Sequence, residues 1–211
     1  TFCKVMCMIG RTIVVNTGNF IEYYERDGDT FRIAFKLDEK TFPNTCYMDR
    51  SGRIWAVSPN SVRWYDVDNH AHKEIWASDK EIAYNSFRQE NGWLWMCMLD
   101  GRILIYDTRN YCFIDTPKAL TDNSKCFEGG IKAIYNGGEN EVFIYTRTLK
   151  MYFFNTSTGK FLSQSESGFP FTVPHAELSA LMFDNNKNLW IGSADQGFWI
   201  SYSYKRQFNS N

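Results

Sequence analysis

The chain is poor in the features that build helices, cross bilayers or hold metals. No window carries apolar residues at the three-and-four spacing of an amphipathic helix, and at most a short helical turn is predicted near Pro117–Asp122. No apolar run approaches the roughly 20 residues that span a bilayer. Neither sign of charge is in excess: 23 Lys and Arg stand against 24 Asp and Glu, net −1. Without a basic stripe the composition points away from nucleic acid. The six cysteines (Cys3, Cys7, Cys46, Cys97, Cys112, Cys126) include no C-x-x-C pair, and His70, His72 and His175 lie far from them. Zinc-ligand spacing is therefore missing. Most of the cysteines fall in strand-like segments and read as small buried hydrophobes. A disulfide would need an oxidising compartment, and the sequence does not choose its partners. There is no Ser/His/Asp order, phosphate-cradling glycine loop or metal cluster. Neither a catalytic residue nor a cofactor is expected.

What the chain does have is an internal repeat. Its clearest copy runs Asp184-Asn185-Asn186-Lys187-Asn188-Leu189-Trp190-Ile191-Gly192-Ser193, then Gly197-Phe198. A second runs from Asp49 through Gly52-Arg53-Ile54-Trp55 to Val62-Arg63-Trp64-Tyr65-Asp66. A third holds Asn91-Gly92-Trp93-Leu94-Trp95, then Gly101 to Asp107. The pattern weakens at Gly10 to Val15 and at Glu139 to Phe143. The apolar anchors are Ile13, Trp55, Trp95, Phe143 and Trp190, spaced 42, 40, 48 and 47 residues apart. That is the roughly 40–50 residue period of a propeller blade.

Six positions before the later anchors stand Asp49, Gln89, Gly137 and Asp184, each a turn former or polar residue; Cys7 departs from this. A polar turn followed by an aromatic strand is hairpin chemistry. Strands are predicted at Thr45–Met48, Arg53–Val57, Val62–Tyr65 and Lys73–Trp76, and again at Ile82–Arg88, Trp93–Met98, Arg102–Tyr106 and Cys112–Asp115. The fold expected is all-β, a β-propeller of about five four-stranded antiparallel blades, read as a portion of a larger, seven-bladed ring. The blades fall at about 1–37, 38–78, 79–118, 119–170 and 171–211 of a single region, 1–211. The alternative is a five-bladed ring zipped by the N-terminal strand. The large anchors suit blade-to-blade packing, with ligand stacking as the other reading. Two open blade faces would drive self-association, with a dimer expected.

Second-to-third-strand turns of a propeller gather on one face. Here they carry Asn16, Asn60, Asp100, Arg147, Asp195 and Gln196. These amide, carboxylate and guanidinium groups could pair with sugar hydroxyls, although short loops are polar in any case.

The copies resemble the two-component regulator propeller repeat, whose pattern is Asp-x-x-Gly-x-Leu-Trp-Ile-Gly-Thr followed by Gly-Leu-x-x-Tyr. Leu181 to Ser193 with Gly197-Phe198 tracks it, with Asn188 for the glycine and Ser193 for the threonine; Gln89 replaces the aspartate in the third copy. The resemblance implies the periplasmic sensor region of a Bacteroidetes-type hybrid two-component histidine kinase. It further implies an oligosaccharide ligand and control of glycan-utilisation genes, with the membrane reached only through segments outside this chain. Nothing here resembles the kinase itself. The opening residues lack a signal-peptide series, and both ends are expected to continue into a longer protein. A secreted lectin, a glycan-active enzyme and a protein-binding scaffold remain the alternatives.

Overall fold

The computed structural model describes residues 4–9, 12–17, 20–38, 45–66, 68–69, 71–78, 82–98, 100–138, 140–167, 178–184, 186 and 188–202. For 4–7, 9, 37–38 and 82–85 it describes the backbone. Cys3, Gly10, Arg11, Gly18, Asn19, His70, Leu99 and His175, and the fourth strand expected after Tyr202, lie outside the described residues.

β1–β4 are Lys4–Ile9, Thr12–Asn16, Phe20–Asp27 and Thr30–Asp38. β5–β8 are Thr45–Met48, Arg53–Ser58, Ser61–Asp66 and Ala71–Ala77. β9–β12 are Ile82–Arg88, Trp93–Met98, Ile103–Asp107 and Cys112–Ile114. A short helix α1, Lys118–Asp122, and a 3-10 turn, Ser124–Phe127, precede β13–β16: Ile131–Asn136, Glu141–Thr146, Met151–Asn155 and Phe161–Ser163. β17–β19, Leu178–Phe183, Leu189–Ser193 and Gly197–Ser201, close the list.

Each group is one antiparallel sheet with its strands in chain order. These are the five blades of a β-propeller, the architecture the repeat predicts. The chain divides into two compact units, Thr1–Asn85 and Ser86–Asn211. The first holds two sheets and the second holds the other three, β9 beginning just before it.

One local device recurs. The Trp55 indole N–H donates to Asp49 Oδ2 at 2.9 Å. The Trp95 indole donates to Gln89 Oε1 at 2.9 Å, and that of Trp190 to Asp184 Oδ2 at 3.0 Å. The residue six places upstream is thus the acceptor of the anchor's only polar group. The same side chain also builds the turn. Asp49 Oδ1 accepts from Ser51 N at 2.9 Å and Arg53 N at 3.1 Å, and Asp184 Oδ1 accepts from Asn186 N and Asn188 N, both at 2.9 Å. Gly52 and Gly92 close their turns at φ +81° and +92°, a region side chains disfavour.

The fourth repeat replaces both partners together. Its anchor, Phe143, has no N–H to satisfy, and the acceptor position is Gly137. A Cβ there would stand 2.7 Å from the Phe143 ring. The ring takes the space the acceptor side chain occupies elsewhere.

In each unit the anchor-side face of one sheet packs on the reverse face of the next. Phe143, Tyr145, Met151 and Phe153 meet Leu178, Leu181, Leu189 and Ile191, and Phe143 lies edge-on to Phe183 at 5.7 Å. Trp95 reaches Phe154, with ring centroids 6.1 Å apart. Across strands, Tyr47 stacks on Trp55 at 6.1 Å and Phe87 on Trp95 at 6.2 Å. Burial of such rings is the main stabilising term of the sheets.

The first anchor is Val14, one residue from the Ile13 of the sequence reading. Val14 is 1% exposed and packs with Ile54, Ala56 and Tyr65 of the next sheet, while Ile13, its strand neighbour, faces the other way. A bulge between Val5 and Cys7 of β1 shifts the pairing, and the run Ile13-Val14-Val15 has no polar alternation to mark its inner face. Bulges also interrupt the outer strands β4 and β8, which blunts edges that could pair with foreign strands.

Burial raises the Asp49 carboxyl, but bonds from Trp55, Ser51 and Arg53 outweigh it and hold the group below its ordinary value. At Asp184 the Trp190 bond leads, with the same result. A carboxyl depressed on folding stabilises above its unfolded value and loses that contribution as pH falls through the folded one. Urea midpoints are therefore expected to drop on acidification from about pH 4, the ordinary aspartate range, downward. Asp49→Ala, which removes the Trp55 indole's Asp49 acceptor and one anionic partner of Arg53, is expected to cost roughly 2–4 kcal/mol near pH 7 and to flatten that acid limb. Combined with Trp55→Phe its cost should be less than additive.

Candidate functional site

The six expected site residues all belong to second-to-third-strand turns. Asn16 ends β2 and is buried, 6% exposed. Asn60 occupies the two-residue β6–β7 turn, where its carbonyl accepts from Ser78 N at 2.9 Å. In the β10–β11 turn Asp100 is tied to Arg102: its Oδ2 accepts from Nε at 2.7 Å and its Oδ1 from the backbone N at 3.2 Å. Asp195, in the β18–β19 turn, accepts a short hydrogen bond from the Ser193 hydroxyl. That hydroxyl in turn accepts from the backbone N of Asp195 at 3.3 Å and of Gln196 at 3.2 Å. Both acids are thus partly engaged in shaping their own turns. The Arg147 guanidinium and the side-chain amides of Asn60 and Gln196 have no partner among the described residues.

Two of these turns are brought together by a segment the repeat does not contain. Between β12 and β13 the chain inserts α1 and the 3-10 turn. The stretch Phe127–Gly130 that follows runs between the Asp100 and Arg147 turns. On one side, the Phe127 carbonyl lies 3.2 Å from where a Cβ on Gly101 would stand, so only glycine fits without a shift. On the other, Arg147 N donates to Gly130 O at 2.9 Å, and Thr148 Cγ2 lies 2.7 Å from where a Cβ on Gly129 would stand. Phe127 is anchored edge-on to Tyr152 and Phe161, at 5.9 Å each.

The insert leaves a cleft of about 400 Å³ beside the β10–β11 turn. Its apolar wall comes from Ile103, Leu104, Leu120 and Phe127, and its polar rim from Asp100, Arg102, Ser124 and Glu128. Arg102 spends one guanidinium N–H on Asp100, which leaves others for a ligand. The Ser124 hydroxyl and the Glu128 carboxylate have no partner among the described residues. An apolar pocket with a few convergent donors and acceptors is the usual form of a small-molecule site.

The fold has solved counterparts. One is the extracellular domain of BT3049 of B. thetaiotaomicron, assigned as a hybrid two-component system: TM-score 0.60, 13% identity, 92% of this chain and 27% of that one. Another is YCF48 bound to D1 peptide: TM-score 0.65, 15% identity, 92% of this chain and 62% of that one. This chain spans less than two thirds of either counterpart's length, and at such identities the likeness is one of fold. No protein-family model and no curated protein matches the chain.

The insert was foreshadowed in two ways. A helical turn was predicted at Pro117–Asp122, and the 48-residue interval from Trp95 to Phe143 is the longest between anchors. Neither signal gives the cleft, which depends on how the returning Phe127–Gly130 segment seats against two turns.

Among the described residues no group of three or more His, Cys, Asp or Glu could hold a metal ion, and no helix is long and apolar enough to cross a membrane. Cys46 and Cys97 are buried, as the sequence reading expects. Cys112 is exposed and Cys126 half-buried, because β12 is an outer strand and the 3-10 turn lies at the surface. Burial pushes the Cys97 thiol up to about 12, so thiolate is scarce at neutral pH. Iodoacetamide at about pH 8 is expected to label Cys112 in the native protein and to leave Cys97 unmodified until the chain is unfolded; mass spectrometry of tryptic peptides reads both.

Proposed function

We propose that this chain is an extracytoplasmic ligand-sensing propeller of a two-component receptor. It takes an oligosaccharide on the face of its second-to-third-strand turns, and the parent protein is a sensor histidine kinase that regulates glycan-utilisation genes. The observation that carries this reading is the cleft at the Asp100–Arg102 turn, where the insert joins two neighbouring turns and leaves donors and acceptors beside an apolar wall. The fold shared with the extracellular domain of BT3049 supports the sensing role and the periplasmic location. Arg102 and Arg147 would supply donors to ring hydroxyls, with Asp195 and Gln196 on another turn of the same unit. Ligand binding would bias the receptor by its differential affinity for two states. The chain itself would perform no chemistry on the sugar.

A second reading, a protein-binding scaffold, is favoured by one observation: the counterpart YCF48 is solved with a peptide bound.

The test is an oligosaccharide array followed by calorimetry on any hit. Arg102→Ala and Arg147→Ala are each expected to weaken binding by about tenfold to a hundredfold, the range for a hydrogen bond to a charged group. Asp195→Ala should have a smaller effect. Unchanged affinity in all three would remove the site from this face. A silent array together with a captured peptide would favour the scaffold.

A further inference from the structure

The cleft beside the β10–β11 turn holds more side-chain hydrogen-bond acceptors than donors. The Thr116 hydroxyl donates to Ile103 O at 2.8 Å, and that of Thr121 to Lys118 O at 2.9 Å. Each therefore offers a ligand only oxygen lone pairs. The Glu128 carboxylate is exposed on the rim and, when ionised, can only accept. Among the described residues that line the cleft, Arg102 is the only cation, and its Nε already donates to Asp100 Oδ2 at 2.7 Å. The side-chain donors left for a ligand are its other N–H groups and the Ser124 hydroxyl.

The charges point the same way. Asp100 offsets Arg102, which leaves Glu128 as the unbalanced charge of the lining. Lys118, Asp122 and Lys125 of the insert are exposed and do not line the cleft. Arg147 stands on the far side of the Phe127–Gly130 segment, tied to it by its backbone. Opposite the rim, Leu120 and Phe127 form a wall that gives an anion nothing in return for its lost water. A ligand carboxylate or sulfate has no proton for the acceptors, meets Glu128 at like charge and must compete with Asp100 for Arg102. A neutral sugar brings hydroxyl protons to the acceptors and C–H edges to the apolar wall.

We infer that this cleft takes uncharged sugar units and rejects acid-bearing ones, and that Glu128 is the residue that sets the choice. The inference rests on the oligosaccharide reading above and narrows it by chemical class. Selectivity of this kind comes from a built-in repulsion as much as from attraction.

The experiment is calorimetry on the whole chain with two sets of probes. One set is neutral oligosaccharides of glucose, galactose, mannose and N-acetylglucosamine; the other is oligogalacturonate and a sulfated galactan. The neutral set is expected to contain the tightest binder, with a gap of about tenfold or more to either acidic probe. Glu128→Gln should narrow that gap by about fivefold, the upper range for one exposed charge. Raising salt from about 0.01 to 0.15 M should narrow it in the wild type as well, because an exposed charge is screened. An acidic probe that binds as tightly as the best neutral one would overturn the inference and leave the oligosaccharide reading standing. A gap that neither Glu128→Gln nor salt reduces would overturn it too. Silence from every probe would remove the oligosaccharide reading, and this inference with it.

Discussion

The indole of each tryptophan anchor is given an acceptor, and most of this chain's regularity follows from that pairing. Tryptophan fills the space between stacked sheets well, yet its N–H cannot be left dry at that depth without a cost of about 1–3 kcal/mol. The repeat meets the need with a side chain six residues upstream, on the turn that leads into the same strand. Because Asp49 and Asp184 also collect backbone N–H groups of that turn, one carboxylate fixes the turn, the strand register and the rotamer of the anchor. Gln89 does part of this with an amide. Its Oε1 takes the indole, but its buried Nε2 has no partner among the described residues, a cost the carboxylate version avoids.

The direction of packing follows next. A strand shows alternate residues to opposite faces, so fixing the anchor also fixes which face meets the following sheet. Within each unit, sheets in chain order pack directly on one another and need no helix between them. The β12–β13 connection is therefore a place where the chain is free to add structure without disturbing a sheet. It adds α1 and the 3-10 turn there, and the cleft results.

Much of this was legible in the sequence. The aromatic anchors betrayed the period because tryptophan is rare and large, and the turn formers around them marked the hairpins. The strands of the second and third sheets lie within a few residues of their predicted limits. The first anchor was read one place off, since three β-branched residues in a row give no clue to which of them faces inward and a bulge upstream offsets the count. The polar residue six places before each anchor was legible as a turn former only. Its role as the indole acceptor needs the third dimension, because turn and strand residues that far apart meet only once the hairpin closes. The cleft was illegible for a similar reason: Gly101 and Gly129 read as ordinary turn residues until the Phe127 carbonyl and Thr148 are seen against them.

The Gly137–Phe143 pair has an implication for how such repeats can diverge. Exchanging tryptophan and acceptor for phenylalanine and glycine takes two substitutions, and their order matters. Losing the acceptor first orphans a buried N–H. Losing the indole first leaves a carboxylate still bonded to its turn. The passable route therefore runs through the ring. A copy caught midway should show phenylalanine with the acid retained, and the reverse combination should be scarce.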